Sequence, residues 1–278
     1  MRNVRVGALA AVGGEVFAVV DHSGEASGVY RWSRKLGRFL LEPSLPKAEA
    51  LAARDGTLYA LSAGRLYRRE ARGWRPLEAP KGAQAVQELL SQGNQLYALT
   101  ASSLYEVQGL RLAGWPLRFR PQLVALNRQA LWFSDGQRVW KLVQGGAHLA
   151  LEKPGGELMR LFGLGDGLVL LGRKGVWWWK KGEPRALAVE ANRVVPVAQS
   201  ERWFLLLDPD RLWLFDGERE AVWRVPALPF PLSDVATALD HGGFLYVGTR
   251  GYGLWRLPEQ ELLGSISTYV VADSSSRR

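Results

Sequence analysis

The chain lacks cysteine altogether and holds only three histidines and two methionines among its 278 residues. Without cysteine there are no disulfides, thiolate metal sites or cysteine nucleophile. The compartment stays open on that ground alone, because proteins from hot environments also avoid cysteine. The histidines, His22, His148 and His241, stand apart and outside any His-x-x-x-His or Glu-adjacent zinc pattern. Each is therefore read as a turn residue. No apolar run approaches the roughly 18 residues that span a bilayer, so no membrane-spanning helix is expected. Walker A loops, Gly-x-Ser-x-Gly elbows and Ser/Lys pairs at a telling spacing are all missing. No catalytic residue, metal or cofactor is expected from such a sequence. The net charge is +9 and the pI near 10.0, yet no segment is densely basic. Lys180-Lys181 and Arg277-Arg278 come nearest.

What the chain does have is a phrase that returns seven times: a small or polar residue, then Val or Leu, then Tyr or Trp. It reads Gly28-Val29-Tyr30, Arg65-Leu66-Tyr67, Ser103-Leu104-Tyr105, Arg138-Val139-Trp140, Gly175-Val176-Trp177, Arg211-Leu212-Trp213 and Gly253-Leu254-Trp255. The aromatics are spaced by 37, 38, 35, 37, 36 and 42 residues. A period of this length over a whole chain marks a repeat architecture. The second repeat shows four short runs, 48–53, 57–62, 65–70 and 74–78, separated by Asp55-Gly56, Ala63-Gly64 and Arg72-Gly73. Short apolar runs between glycine turns are antiparallel strands in a meander. In repeats four and six the first turn is a weaker match, Asn127-Arg128-Gln129 and Ser200-Glu201.

The second run of each repeat is apolar at consecutive positions, as in Phe204-Leu205-Leu206-Leu207. Both of its faces must then be buried, which a sheet with one solvated face does not achieve. Four-stranded sheets packed face to face about an axis do achieve it. The expected fold is all-β, a seven-bladed β-propeller of four-stranded antiparallel blades, with six or eight blades as the alternatives. The repeats run over about 4–43, 47–80, 83–121, 122–154, 156–190, 192–231 and 233–272. They make one domain over 1–273, followed by a disordered tail at 274–278. Ring closure is left between two segments, Thr268-Tyr269-Val270-Val271 and Val4-Arg5-Val6. The apolar residues 6–12 align with the start of every other repeat and are read as a strand rather than a signal peptide. The expected compartment is then the cytoplasm. Arginine far outnumbers lysine, a composition compatible with a thermophilic, GC-rich bacterial source.

Phe244-Leu245-Tyr246-Val247-Gly248-Thr249-Arg250-Gly251-Tyr252-Gly253-Leu254-Trp255-Arg256 resembles the repeat of the two-component-regulator propellers. Leu58-Tyr59-Ala60-Leu61, with Gly64-Arg65-Leu66-Tyr67-Arg68 and Gly73-Trp74-Arg75-Pro76-Leu77, resembles the broader BNR/sialidase-type repeat. The resemblance spans essentially the whole chain and implies the propeller fold. It names no activity, because such repeats serve sensors, assembly factors, glycosidases and scaffolds. The BNR Asp box is missing; its place in repeat two reads Arg69-Glu70-Ala71-Arg72-Gly73-Trp74. A full sensor of the regulator type implies a following membrane segment and kinase domain, and neither is expected within these residues.

In a propeller, the loops joining second to third strands share one face with those joining successive blades. The candidate basic rim on that face is Arg120, Lys153, Arg173, Lys174 and Arg250, with Lys47, Lys81 and Arg193 beside it. Asp21, Asp135, Asp208 and Asp210 belong to the same side. Asp208-Pro209-Asp210 and Asp21-His22 are read first as turns and second as paired carboxylates for metal or acid–base work. Gly163-x-Gly165-x-Gly167 lies in a hairpin rather than between strand and helix, which argues against phosphate binding. In Trp177-Trp178-Trp179 the outer two share a face and fill the gap between blades. Trp178 faces the other way, as packing or as a stacking platform. The functional expectation is a monomeric, non-catalytic platform for another protein. The alternatives are a nucleic-acid or polyanion binder using the basic rim, or a carbohydrate- or lactone-active hydrolase.

Overall fold

The computed structural model describes residues 4–22, 27–33, 35–43, 45, 47–109, 111–116, 121–143, 146–152, 156–225, 227–264 and 268–270. Each returning phrase opens the third strand of an antiparallel sheet. The first sheet comprises Val4–Val12, Glu15–His22, Gly28–Ser33 and Arg38–Leu41, and the second Ala50–Arg54, Thr57–Ser62, Arg65–Glu70 and Gly73–Pro76. The third comprises Glu88–Gln92, Gln95–Leu99, Ser103–Gln108 and Arg111–Pro116. Leu123–Leu126, Leu131–Ser134, Arg138–Val143 and Gly146–Glu152 form the fourth. The fifth is Leu158–Leu164, Gly167–Gly172, Gly175–Trp179 and Arg185–Ala186. The sixth is Arg193–Ala198, Trp203–Leu207, Leu212–Asp216 and Ala221–Arg224.

The seventh group departs from the expected four strands. Val235–His241, Phe244–Thr249 and Leu254–Pro258 pair in order, and the chain then runs into a short helix, Glu259–Gly264, rather than a fourth strand. The Thr268–Val270 strand, one of the two segments considered for closure, pairs antiparallel with Ala221–Arg224 as a fifth strand of the sixth sheet. The other segment does meet the seventh sheet. Val4 bridges Tyr252 in parallel, and the Gly253 amide donates to the Val4 carbonyl at 3.2 Å.

The chain divides into two compact units. One holds Met1–Arg120 with Asp234–Glu259, the other Pro121–Ser233 with Gln260–Arg278. In the first unit, one core cluster joins sheets one and two around Phe17, Val29, Leu58 and Ala60. A second joins sheets two and three around Tyr59, Leu61, Leu96 and Val107. Gly248 lies against Val6 so closely that a Cβ there would come within 2.7 Å of the valine. In the second unit, Trp132, Val139, Leu161 and Leu170 join sheets four and five, and Trp178, Phe204, Leu206 and Phe215 join five and six. Within each unit these successive sheets share cores face to face, which explains why second strands such as Gly167–Gly172 and Trp203–Leu207 are buried along their whole length.

The hairpins use two chemistries. Asp55 and Gly56 both take positive φ, the mirror-image turn that an Asp-Gly pair permits. Where glycine is missing, a side chain caps the loop instead. The Asn127 side-chain carbonyl accepts the amides of Gln129 (2.9 Å) and Ala130 (3.0 Å). The Ser200 hydroxyl accepts those of Arg202 (3.3 Å) and Trp203 (2.9 Å). These are the two repeats whose turns matched poorly: in the fourth a short polar side chain does the work of a left-handed backbone, and in the sixth it acts beside Gln199, which itself takes a positive φ of 59°.

Candidate functional site

In the second unit, a groove of about 500 Å³ opens at one end of the sixth sheet. Leu212 and Val225 lie along it, and the Val225 amide donates to the Leu212 carbonyl at 2.8 Å. One wall is the loop between second and third strands, with Asp210 and Arg211. The other is the segment after the fourth strand, with Phe230, Pro231 and Leu232, and Arg224 stands at that strand's end. The groove therefore lies on the side of its sheet where binding loops are expected. Its floor residues are buried, Leu212 at 2% and Val225 at 4% exposure, as is Phe230 at 6%. Arg211 and Arg224 are exposed, and neither makes an ion pair among the described residues. Arg193 shapes the wall, donating from Nη1 to the Ser233 carbonyl (2.9 Å) and from Nη2 to that of Leu232 (3.1 Å). Two free guanidinium groups over an apolar floor suit an extended anionic partner with apolar side chains.

The candidate carboxylates fall differently. Asp208 Oδ1 accepts the amides of Asp210 (2.8 Å) and Arg211 (2.6 Å), and Asp135 Oδ1 accepts those of Gln137 (2.9 Å) and Arg138 (2.8 Å). Both cap their own loops, the first of the two roles considered for Asp208. In the first unit Asp21 accepts from the Ser27 hydroxyl at 2.6 Å and lies 3.7 Å from Lys47. The Ser27 hydrogen bond, helped by the Lys47 charge, holds its carboxyl below the ordinary value.

Of the basic rim, Arg173 pairs with Glu157 at 3.0 Å, and Lys174 beside it is exposed. These two belong to the second unit and Arg250, also exposed, to the first. Arg120 and Lys153 lie outside the described residues, as do the side chain of His22 and the tail at 274–278. His148 sits on the exposed outer strand of the fourth sheet, Cα-paired with Lys141, rather than in a turn. His241 ends a strand against the Gly242-Gly243 turn. Among the described residues no three His, Asp or Glu side chains form a metal-sized cluster, and no helix is long and apolar enough to cross a membrane.

Trp178 is core. It is 3% exposed, its ring centroid 5.1 Å from that of Phe215, while Trp179 meets Trp132 edge-on at 5.3 Å on the opposite face. The glycines of 163–167 serve the same packing. A Cβ on Gly163 would stand 1.8 Å from the Leu126 carbonyl oxygen, and one on Gly167 2.2 Å from the Trp178 ring.

The sequence did not point to the groove or to the charge network at the other end of the same sheet. Asp216 is fully buried and receives Arg202 through Nε (2.8 Å) and Nη2 (2.5 Å), and the guanidinium stacks 4.2 Å from the Trp203 ring. Its other oxygen accepts the amides of Glu218 (2.9 Å) and Arg219 (3.1 Å). A usable signal existed for the groove: residues 225–232 are apolar and proline-rich, unlike the polar loops elsewhere.

No known protein family and no curated protein matches the chain. Solved structures do. PorZ, a surface component of the type-IX secretion system of Porphyromonas gingivalis, is 17% identical with a TM-score of 0.63. That match covers 98% of this chain and 39% of PorZ, so the chain spans well under half of that protein's length. YCF48 from Cyanidioschyzon merolae is 11% identical, TM-score 0.62, covering 93% and 97%. The WD40 β-propeller domain of Doa1 is 12% identical, TM-score 0.64, covering 92% and 93%. These neighbours are β-propellers, and at such identities the likeness concerns the fold.

Proposed function

We propose that the chain is a seven-bladed β-propeller that acts as a non-catalytic platform for another protein, held chiefly in the groove of the sixth sheet. The seven returns of one strand-opening phrase support the blade number. The groove carries the functional reading: unpaired Arg211 and Arg224 flank a floor of Leu212 and Val225 beside Phe230. Arginine and aromatic side chains around a desolvated apolar centre are the composition of interaction hot spots. Loop-capping by Asp135 and Asp208 fits a binding role better than acid–base chemistry. The neighbours accord with it as well, since PorZ is described as a component of a secretion system.

Charge reversal at both arginines, R211E/R224E, tests the reading. Proteins captured by the native chain from its source lysate are expected to be lost with the variant while the circular dichroism stays unchanged. Identical capture by both proteins would remove the groove from the account. Retention on heparin at low salt, steeply reversed by added salt, would favour the polyanion reading instead.

A further inference from the structure

A second surface follows from the seventh sheet, which has no fourth strand among the described residues. In an antiparallel ladder alternate residues bond inward and the rest point their amide and carbonyl groups outward. The Thr249 amide donates to the Gly253 carbonyl, and the Glu259 amide to that of Gly243. Residues 253, 255, 257 and 259 therefore face Phe244–Thr249, and Leu254, Arg256 and Pro258 face the outer edge. Elsewhere the carbonyl at the Leu254 position of the repeated phrase is occupied. Val29 accepts from Glu42, Leu66 from Leu77, Val176 from Leu187 and Leu212 from Val225, all between 2.8 and 2.9 Å. No such donor reaches Leu254 among the described residues. Its side chain agrees, being half-buried where Val29, Leu66, Leu104, Val139, Val176 and Leu212 are all 3% exposed or less.

We infer that this edge docks an extended, acidic segment of another polypeptide as the fourth strand of the seventh sheet. Exposed peptide groups at a sheet edge are a template for strand addition, and the occupied sheets define the geometry: antiparallel, about four residues long. The charge of the occupant follows from Arg250 and Arg256. Both are exposed, neither makes an ion pair among the described residues, and Arg256 is held 4.4 Å over the Phe244 ring. A carboxylate across from Arg256 is the favoured cross-strand neighbour. The chain's own Thr268–Val270 strand is already paired on the sixth sheet. A second copy would bring like charges together, edge against edge, on a molecule of net charge +9.

The test uses a fluorescein-labelled octapeptide of alternating valine and aspartate, a lysine-for-aspartate counterpart and a backbone N-methylated copy, followed by anisotropy in low salt. The aspartate peptide is expected to bind. The lysine peptide, the N-methylated copy and the R256P variant should each weaken binding at least tenfold. Proline at 256 removes an outward amide and none of the sheet's own ladder bonds. R250E/R256E, which leaves the backbone intact, should reverse the preference toward lysine, and R211E/R224E, which removes any contribution from the groove, should keep the tenfold difference between the aspartate peptide and its N-methylated copy. Equal binding of the N-methylated copy, or no binding of the aspartate peptide to the native chain, overturns the inference and leaves the groove reading standing. A disulfide between A221C and V270C pins the Thr268–Val270 strand to the sixth sheet. Tighter peptide binding by that locked form would mean the chain's own segment competes for the edge, and would also overturn it.

Discussion

Trp178 shows how one side chain decides between packing and recognition. Its neighbours are Leu164, Phe215 and the Cα of Gly167, and a bare glycine is what leaves room for the indole. Trp178→Ala should cost about 4 kcal/mol in urea unfolding, the range for an aromatic removed from a packed core. A loss below about 1 kcal/mol would contradict the packing role. Asp216→Ala removes the acceptor of two amides and the nearer of the Arg202 guanidinium's two carboxylate partners, and should cost about 3 kcal/mol by the same measurement. Asp208→Asn keeps a capping carbonyl and should be nearly neutral, whereas Asp208→Ala loses about 1 kcal/mol. Asp21 adds a pH dependence. Its folded pKa is depressed, so its contribution is complete above the unfolded value and disappears as pH falls through the lower folded value. A carbon-detected titration should place its carboxyl below 3.8, and a midpoint at or above 3.8 would contradict the Ser27 and Lys47 contacts. Turn roles such as that of Asp208 were legible because Asp and Pro have local reasons to be there. The Asp216–Arg202 pair was not, because 14 residues and a hairpin separate the partners.

Strands were the most legible level, and the reason is periodicity. The aromatic of each phrase sits where the third strand pairs with the second, so Tyr67 opposes Ala60 and Trp213 opposes Leu206. Exceptions follow from neighbours beyond the repeat. Leu212–Asp216 is buried at every position, unlike the half-exposed Arg65–Glu70. Its sheet carries a fifth strand, and its run Leu212-Trp213-Leu214-Phe215 is apolar throughout, a signal the repeat pattern obscured. The seventh sheet misled in the opposite way. Residues 268–271 have the β-branched and aromatic character of a closing strand, and nothing local says which edge they choose. Amide exchange reads that choice directly. The amides of Leu254 and Arg256 should exchange on the order of a hundredfold faster than those of Trp255 and Leu257. Equal protection at all four would mean that the edge is covered. Gly163→Ala tests the close approach of the inner strands in the second unit, where a methyl would strike the Leu126 carbonyl. It should cost about 3 kcal/mol.

At the scale of the molecule, the fold carries a net positive charge that its ion pairs only partly quench. Arg173, Lys47 and Arg128 each have a carboxylate partner, while Arg211, Arg224, Arg250 and Arg256 do not. The sequence revealed the excess charge and the face it was expected on, but pairing depends on side chains brought together by folding. The seventh-sheet edge was invisible for the same reason, and the groove showed only as the apolar, proline-rich run at 225–232. The central claim is that the first strand of the chain is set against the seventh sheet, bringing the two ends of the first unit's sequence together. Because the chain has no cysteine, one engineered pair reports on it cleanly. Val4→Cys with Tyr252→Cys should form a disulfide spontaneously in air, since the two residues are bridged in parallel. Closing a loop of nearly the whole chain should add roughly 5 kcal/mol and raise the midpoint of thermal unfolding by roughly 10 °C over the reduced form. Failure of the two thiols to join under mild oxidation, or a disulfide that lowers the midpoint, would contradict the placement of the first strand against the seventh sheet.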